Sequence, residues 1–379
     1  MILTVTLNTA LDVTYAVPAL VPHSSHRVGE ISERPGGKGL NVARVLSALG
    51  HETVVTGFVG GSTGAVLREL LAGPSAEAGA GRSAAAVAAA GPAIGAGPSA
   101  AAGAGRSAAA VAAAGPAIGA GSYAEAGAGP DPSAEAGAGP AAIAPPPRDA
   151  LVTVAGNTRR TLAVVDRSTG DTTQFNEPGP QVSAGEWAAF LRTYGDLLTG
   201  ADAVALCGSL PPGVHVGAYA ELIRLARTAE VPVLLDTSGE PLRRGIAARP
   251  DLVKPNADEL AQLTGAREPL RAARDARRRG AHSVIASLGA DGMLAVTPDG
   301  VWRASPPAAV QGNPTGAGDS AVAGLLSGLV EGLSWPDRLT RAVALSTATV
   351  LAPAAGEFDG PAYAGLLPRV GVERLAPAA

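Results

Sequence analysis

Apolar and polar positions along this chain fall into two rhythms. "ILTVTL" near the start is a short buried-strand run, and "GLNVARVLSALG" at 39–50 switches to helical spacing and ends in a glycine stop. "ETVVTGFVG" predicts the next strand and "STGAVLRELLA" the next helix. "ALVTVAG", "RTLAVVD" and "TTQFN" alternate residue by residue, as antiparallel or edge strands do. Further on, "AVALCGS", "VPVLLDTS", "DLVKPN" and "HSVIASLGADG" predict strands. Helices are predicted at "VGAYAELIRLARTA", "ADELAQLTG", "GAGDSAVAGLLSGLV" and "WPDRLTRAVALSTATVLA". Strands alternating with helices predict an α/β fold, a mostly parallel sheet covered on both faces.

Residues 74–147 break both rhythms. "GRSAAAVAAAGPAIGAG" occurs at 81–97 and again at 105–121, and "PSAEAGAG" at 74–81 and 132–139. Alanine, glycine, proline and serine dominate, so these repeats lack the bulky residues that a stacked repeat buries against its neighbours. Burying alanine does not offset the entropy of ordering such a chain, and the stretch reads as a disordered insertion into one domain. That domain comprises 1–73 and 148–379. An interaction arm is the competing reading of the insertion.

Composition narrows the class. Hydrophobic residues make up 46% of the 379, enough for a sizeable core, but aromatic residues only 3%, so that core is built of Val, Leu, Ile and Ala. A net charge of -4 without a long basic run argues against nucleic acid as the main partner. The single cysteine, Cys207, rules out an internal disulfide and a cysteine-rich metal site, and it reads as packing. The opening segment lacks the pattern of a signal peptide, and no run suits a membrane span, so a soluble cytoplasmic protein is expected.

Ligands of parallel sheets bind at the carboxyl ends of strands, where Asp236, Lys254, Ser287 and the loop "NPTGAGDS" all fall. Gly316, Ala317 and Gly318 open a predicted helix whose first N–H groups suit an anion. Asp319 beside them is either a helix cap or the acceptor of an alcohol proton. In "PGGKGLNVA", Gly36, Gly37 and Gly39 permit close ligand approach, Lys38 offers a cation and Asn41 an amide. The loop is not a Walker A motif. Asp12 can accept from two sugar hydroxyls or cap a turn. Arg27 and Arg159, on segments that read as edge strands, can hold a phosphate; Arg160 must point the other way. Ser209 in "LCGSLPPG" can bond a ligand. Lys254, Asn256 and Glu259 in "KPNADEL" suit phosphate and Mg²⁺ held through water, although Asn256 and Glu259 equally spell a capping box. "SLGADGM" is either a phosphate-contacting turn or a plain hairpin.

"GGKGLNVA", "CGSLPPG", "KPNADEL", "SLGADG" and "NPTGAGDS" occur in that order, and the set resembles the ribokinase-like PfkB family of carbohydrate kinases. "TLNTALD", "NEPGP", "LLDTSGEPL" and "VKPNADELAQLTG" resemble its 1-phosphofructokinase and tagatose-6-phosphate kinase branch. The resemblance spans nearly the whole chain outside 74–147. It implies a three-layer α/β/α core with a small β-sheet lid from segments near 13–17, 26–34 and 151–176, and a homodimer formed through that lid. It implies Asp319 as general base and Gly316, Ala317 and Gly318 as anion hole. Asp12, Gly37, Lys38, Asn41 and Ser209 are then on the sugar side, and Arg27 and Arg159 at its phosphate. Lys254, Asn256, Ser287, Gly289, Gly292, Thr315 and Ser346 fall on the ATP side, with Asn256 and Glu259 toward Mg²⁺. Two residues depart from the family pattern: Thr9 replaces a proline, and Thr161 an asparagine.

The resulting expectation is ATP-dependent phosphorylation of fructose 1-phosphate at its 6-hydroxyl. Tagatose 6-phosphate or fructose 6-phosphate is the alternative substrate. A non-catalytic sugar-phosphate sensor is the alternative of another class, and the intact "GAGD" argues against it.

Overall fold

The computed structural model describes residues 1–73 and 145–376, and the expectation of disorder for 74–147 falls almost entirely outside them. All described residues belong to one compact unit. Its centre is β1 (Ile2–Thr6), buried along its whole length and flanked in parallel by β4 (Thr53–Gly60) and β9 (Ala203–Cys207). The parallel series continues through β10 (Val233–Asp236), β11 (Leu252–Val253) and β12 (Ser283–Ser287). It ends in an antiparallel meander, β13 (Met293–Thr297), β14 (Gly300–Ser305) and β15 (Gly371–Leu375). At the other edge, β5 (Arg148–Asp149) and β6 (Val152–Val154) both pair with β4.

Side chains alternate across this sheet and fill two cores. Leu3, Val5, Val204 and Leu206 face α3 (Ala184–Leu198), α4 (Ala218–Thr228), α5 (Gly239–Ala247), α6 (Ala257–Thr264) and α7 (Pro269–Arg278). Ile2, Ala203, Ala205 and Cys207 face α1 (Lys38–Ala48), α8 (Ala317–Val330) and α9 (Trp335–Val350). α8 carries small residues because α9 lies against it: a Cβ on Gly324 would sit 2.7 Å from the Ala342 Cα. This is the expected three-layer α/β/α architecture. Among the described residues, no helix is long and apolar enough to cross a membrane.

A second sheet has the order β3-β2-β7-β8, from β2 (Ala10–Val17), β3 (Glu30–Gly36), β7 (Arg159–Asp166) and β8 (Thr172–Asn176). Three expectations need correction here. Residues 152–154 join the main sheet, because they continue alongside the end of β4, and are not part of the small sheet. β7 runs parallel to β2 and only its pairing with β8 is antiparallel; alternation along a strand reports one buried face, not strand direction. Arg27 lies in the exposed loop before β3, so it is not on a strand. The sequence reading also passed over α3, whose Ser183 and Glu186 form a reciprocal capping box, and the meander β13–β15.

Thr9 has its own anchor in place of the missing proline ring: its buried hydroxyl donates to the Phe58 carbonyl at 2.5 Å.

Deleting residues 74–147 and joining the ends through a short Gly/Ser linker is expected to leave one cooperative thermal transition. The cost of closing a surface loop changes slowly with its length. Loss of the cooperative melt would show that the repeats belong to the core.

Candidate active site

Two helices start at one polar cavity without a side-chain cap. α1 begins at Lys38 after Gly37, whose φ is 113°, and α8 begins after Gly316, whose φ is 86°. Both angles suit glycine, and a Cβ on Gly316 would also sit 2.7 Å from the Ala355 Cα. A lysine in the first turn opposes the helix dipole, so its placement there needs a partner. That partner is Asp236 at the end of β10, 1% exposed, whose two carboxylate oxygens each lie 3.3 Å from Lys38 Nζ. Lys254, also buried, approaches the same carboxylate at 3.6 Å. Lys38 and Lys254 are the only lysines in the whole chain, and they share one aspartate. Burial works against the Lys38 ammonium, but Asp236 and then Asp319 outweigh it and hold its pKa above the usual lysine value.

Asp319, 6% exposed, lies in the first turn of α8. Burial pushes its carboxyl up to about 6; Lys38, Asn41 and Lys254 oppose this, and Asp236 adds to it. Asn41 Nδ2 donates to Asp319 Oδ2 at 2.8 Å, while Asn41 Oδ1 accepts from Arg44 Nη2 at 2.9 Å. A guanidinium only donates, so Arg44 fixes which way the Asn41 amide faces and commits its NH₂ to Asp319. Arg44 is itself tied to the Ala355 carbonyl at 2.5 Å.

The expected anion hole is partly engaged. Ala317 N–H donates to the Pro314 carbonyl at 3.2 Å, whereas the N–H groups of Gly316, Gly318 and Asp319 have no partner among the described residues. The free donors are thus Gly316, Gly318 and Asp319, because the turn at Pro314 takes the one between them. Lys254 Nζ lies next to these donors, 3.5 Å from where a Cβ on Gly318 would stand, an ordinary contact distance.

The cavity measures about 420 Å³. Asp12, Gly37, Lys38, Asn41, Arg159, Lys254, Asn256, Ser287, Thr315 and Glu259 line it together with Asp236, Gly316, Gly318 and Asp319. Ser209 and Arg27 do not. Ser209 accepts a bond from Asn8 Nδ2 at 3.1 Å, and Arg27 remains on its exposed loop. Thr161 enters from the second sheet together with Gln174 and Asn176, two residues missed by the sequence reading. Register explains them: Arg34, Asp12, Thr161 and Asn176 stand directly opposite one another across β3, β2, β7 and β8. They form one row on one face, so Asn176 supplies an amide next to the position where Thr161 lacks one. Burial raises the Asp12 pKa against the Thr161 hydroxyl and the guanidinium groups of Arg159 and Arg44. Arg159 is anchored by the carbonyls of Asn8 and Glu177, both at 3.3 Å, and Arg160 points away to pair with Glu177.

A second cavity of about 610 Å³ shares Asn256, Ser287 and Gly318 with the first. Gly289, Gly292, Ala317, Val343, Ser346 and Val350 line it, a mainly apolar space. Gly292, with φ 87°, passes under the Ala304 carbonyl, which a Cβ would approach to 2.1 Å. Asn256 and Glu259 do close a capping box: Glu259 N donates to Asn256 Oδ1 at 2.8 Å and Asn256 N to Glu259 Oε2 at 2.9 Å. One Glu259 oxygen is left without a partner among the described residues, and both side chains line the polar cavity. Such hard oxygens fit Mg²⁺ held through water.

The pfkB family of carbohydrate kinases matches residues 4–73 and 149–360. The chain belongs to this family. The 1-phosphofructokinase of Rhodobacter capsulatus is 32% identical over 351 residues, 91% of this chain and 89% of that one. Among solved structures, phosphofructokinase-2 of Escherichia coli aligns with TM-score 0.73 at 24% identity, covering 97% of this chain and 98% of that chain. A possible 1-phosphofructokinase of Thermotoga maritima aligns with TM-score 0.73 at 24% identity over 99% of this chain and all of its own. Similarity at that identity establishes the ribokinase-like fold; the family match establishes a PfkB sugar kinase.

With Asp319 as the proposed base, its raised carboxyl predicts a pH dependence for this PfkB-family kinase. A base acts when ionised, so kcat/KM is expected to rise with pH through about 6. Asp319→Asn is expected to lose about 10²–10⁴ in kcat. The folded-state pKa lies above the unfolded one, so this carboxyl favours folding below about 3.9 and that contribution is lost as pH rises through about 6. Asp319→Asn therefore melts no lower than wild type at pH 8. Arg44→Met frees the Asn41 amide to turn its oxygen toward Asp319, and the acidic limb moves to higher pH. A pH–rate series on the three proteins checks these outcomes, and near-normal turnover by Asp319→Asn excludes it as the base.

Proposed function

We propose that this kinase transfers the γ-phosphoryl group of ATP to the 6-hydroxyl of fructose 1-phosphate, giving fructose 1,6-bisphosphate and ADP in the cytoplasm. The observation that carries the reading is the buried Asp319 beside the unpaired N–H groups of Gly316 and Gly318, in a cavity shared with Lys38, Lys254 and Arg159. Asp319 accepts the hydroxyl proton as the sugar oxygen bonds to the γ-phosphorus. The bond from that phosphorus to the β,γ-bridging oxygen breaks, and ADP leaves with the electron pair. The free donors at the start of α8 and the Lys254 ammonium meet the charge on the transferring group. Asn256 and Glu259 would hold Mg²⁺ through water, and the ion would supply neutralising charge to the phosphates.

Asp12, Asn41 and Asn176 suit the sugar hydroxyls, and Arg159 its phosphate. The similarity to a 1-phosphofructokinase favours fructose 1-phosphate over tagatose 6-phosphate and fructose 6-phosphate. We assign the second sheet as the lid, and residues 74–147 as an insertion within the kinase domain; the family match passes over this stretch.

The lid also suits a homodimer. Ile31 and Phe175, 60% and 58% exposed, occupy register positions on the face opposite the Asp12 row. Phe175→Glu is expected to shift the protein from dimer to monomer in sedimentation equilibrium, and an unchanged mass would remove this face from the interface.

Comparing kcat/KM for the three sugar phosphates and for fructose tests the substrate assignment. Arg159→Met keeps an unbranched stem and removes the fork. It is expected to lower the ratio of efficiencies, fructose 1-phosphate to fructose, by about one to two orders of magnitude with little change in the KM for ATP. An unchanged ratio in a folded variant would show that Arg159 does not read the phosphate.

A further inference from the structure

At the opposite ends of the strands that carry the active site lies a cavity of about 860 Å³, larger than either catalytic cavity. β11 has Asp251 of this cavity just before it and Lys254 of the active site just after it, and β12 follows His282 and ends at Ser287. Five arginines line it: Arg227 from α4, Arg249 from the loop after α5, and Arg274, Arg277 and Arg278 from α7. The chain as a whole carries a net charge of -4, so this is a local reversal of sign.

Several surface arginines pair with carboxylates, as Arg243 and Arg244 do with Glu240. Here most do not. Arg227 donates to the Ala248 carbonyl at 3.2 Å and Arg277 to the His282 carbonyl at 2.9 Å. These neutral acceptors hold the forks in place and leave their charge uncompensated. The side chains of Arg249 and Arg274 make no hydrogen bond or ion pair among the described residues. Only Arg278 meets a carboxylate, Asp275 at 3.0 Å. Asp251 is the one carboxylate in the lining, and its Oδ2 accepts from Val233 N at 2.8 Å.

The ordinary account of such arginines is helix-end chemistry, since α4, α5 and α7 all terminate here. Three helix C-termini supply about half a negative charge each. With Asp251 and Asp275 added, they still fall short of five guanidinium groups by roughly one to two charges. Arg274 also sits a full turn before the end of α7, where a terminal carbonyl does not explain it.

We propose that this cavity binds a small polyanion with two or more linked phosphoryl groups, at a site separate from the catalytic one. Guanidinium forks match phosphate oxygens in pairs, and four of them approach from three elements around a concavity too large for one phosphate. The lining contains no Phe, Tyr or Trp, so a nucleobase finds no ring to stack on and the phosphate chain itself is what is read. This inference is independent of the sugar substrate assigned above.

The test is calorimetric titration of the full-length protein with inorganic tripolyphosphate and with magnesium-free ATP. Wild type is expected to show a tripolyphosphate site that persists in Lys254→Met. Arg249→Gln/Arg274→Gln is expected to weaken that site at least about tenfold, the scale of one lost charged hydrogen bond, while kcat/KM for the sugar phosphate stays unchanged. Arg249→Lys/Arg274→Lys, which keeps both charges, is expected to retain binding and guards against a folding defect. The proposal is overturned if the glutamine variant binds as wild type does, or if Lys254→Met alone abolishes all binding. ATP binding more than about tenfold tighter than tripolyphosphate at this site would overturn phosphate-chain recognition in favour of a nucleoside.

Discussion

Lys38 and Lys254 share one buried carboxylate, Asp236, and the chemistry of the cavity depends on that sharing. One aspartate between two ammonium groups leaves one ammonium charge uncompensated within the trio, next to Asp319 at the start of α8. Burying an unpaired ammonium would be costly, and giving each lysine a separate structural carboxylate would leave less positive charge to favour the ionised form of Asp319. A shared partner avoids both extremes. It also places a second carboxylate, Asp319, under two opposing influences: the lysines favour its charged form, while burial and Asp236 disfavour it. The outcome near 6 leaves Asp319 ionised at neutral pH yet basic enough for the role proposed for it.

The backbone is shaped to permit this crowding. Gly37 and Gly316 adopt angles that other residues reach only with strain, and each starts a helix whose first donors point at the cavity. Gly36 lies beneath Asp12 so closely that a Cβ would come within 2.2 Å of the carboxylate. Gly356, with φ 77°, makes room for the Arg44 guanidinium, which holds Asn41 against Asp319. These contacts link α1, α8 and the segment at 355–357 behind the proposed base. The second sheet presents its Arg34–Asp12–Thr161–Asn176 row to the same space, and Arg34 pairs with Glu357 to tie the sheet to that segment.

Much of this was legible in the sequence, because glycine and charge leave local marks. "GGKGLNVA" and "NPTGAGDS" marked two glycine-rich helix starts with Lys38 and Asp319 beside them, and the structure shows both to lack a side-chain cap. Strand periodicity identified the parallel core, and the repeats set 74–147 apart by composition alone. What alternation could not give was direction and sheet membership. The same pattern fits β7 beside β2 in either sense, and "LVTV" can extend either sheet.

Only tertiary structure decided which side chains share the cavity. Asn176 and Gln174 follow from the register of β8 on β7, a long-range choice with no local signature. Arg27 and Arg159 look equivalent as isolated arginines, yet the fold brings in Arg159 and leaves Arg27 on an exposed loop. Asp236 ends an ordinary buried strand, and nothing nearby in the chain marks it as the partner of two lysines separated by more than two hundred residues. The sequence determined where backbone and charge are unusual, because those are properties of a few consecutive residues. The meeting of Lys38, Asp236, Lys254 and Asp319 was decided by packing, because it depends on how distant strands are ordered in one sheet.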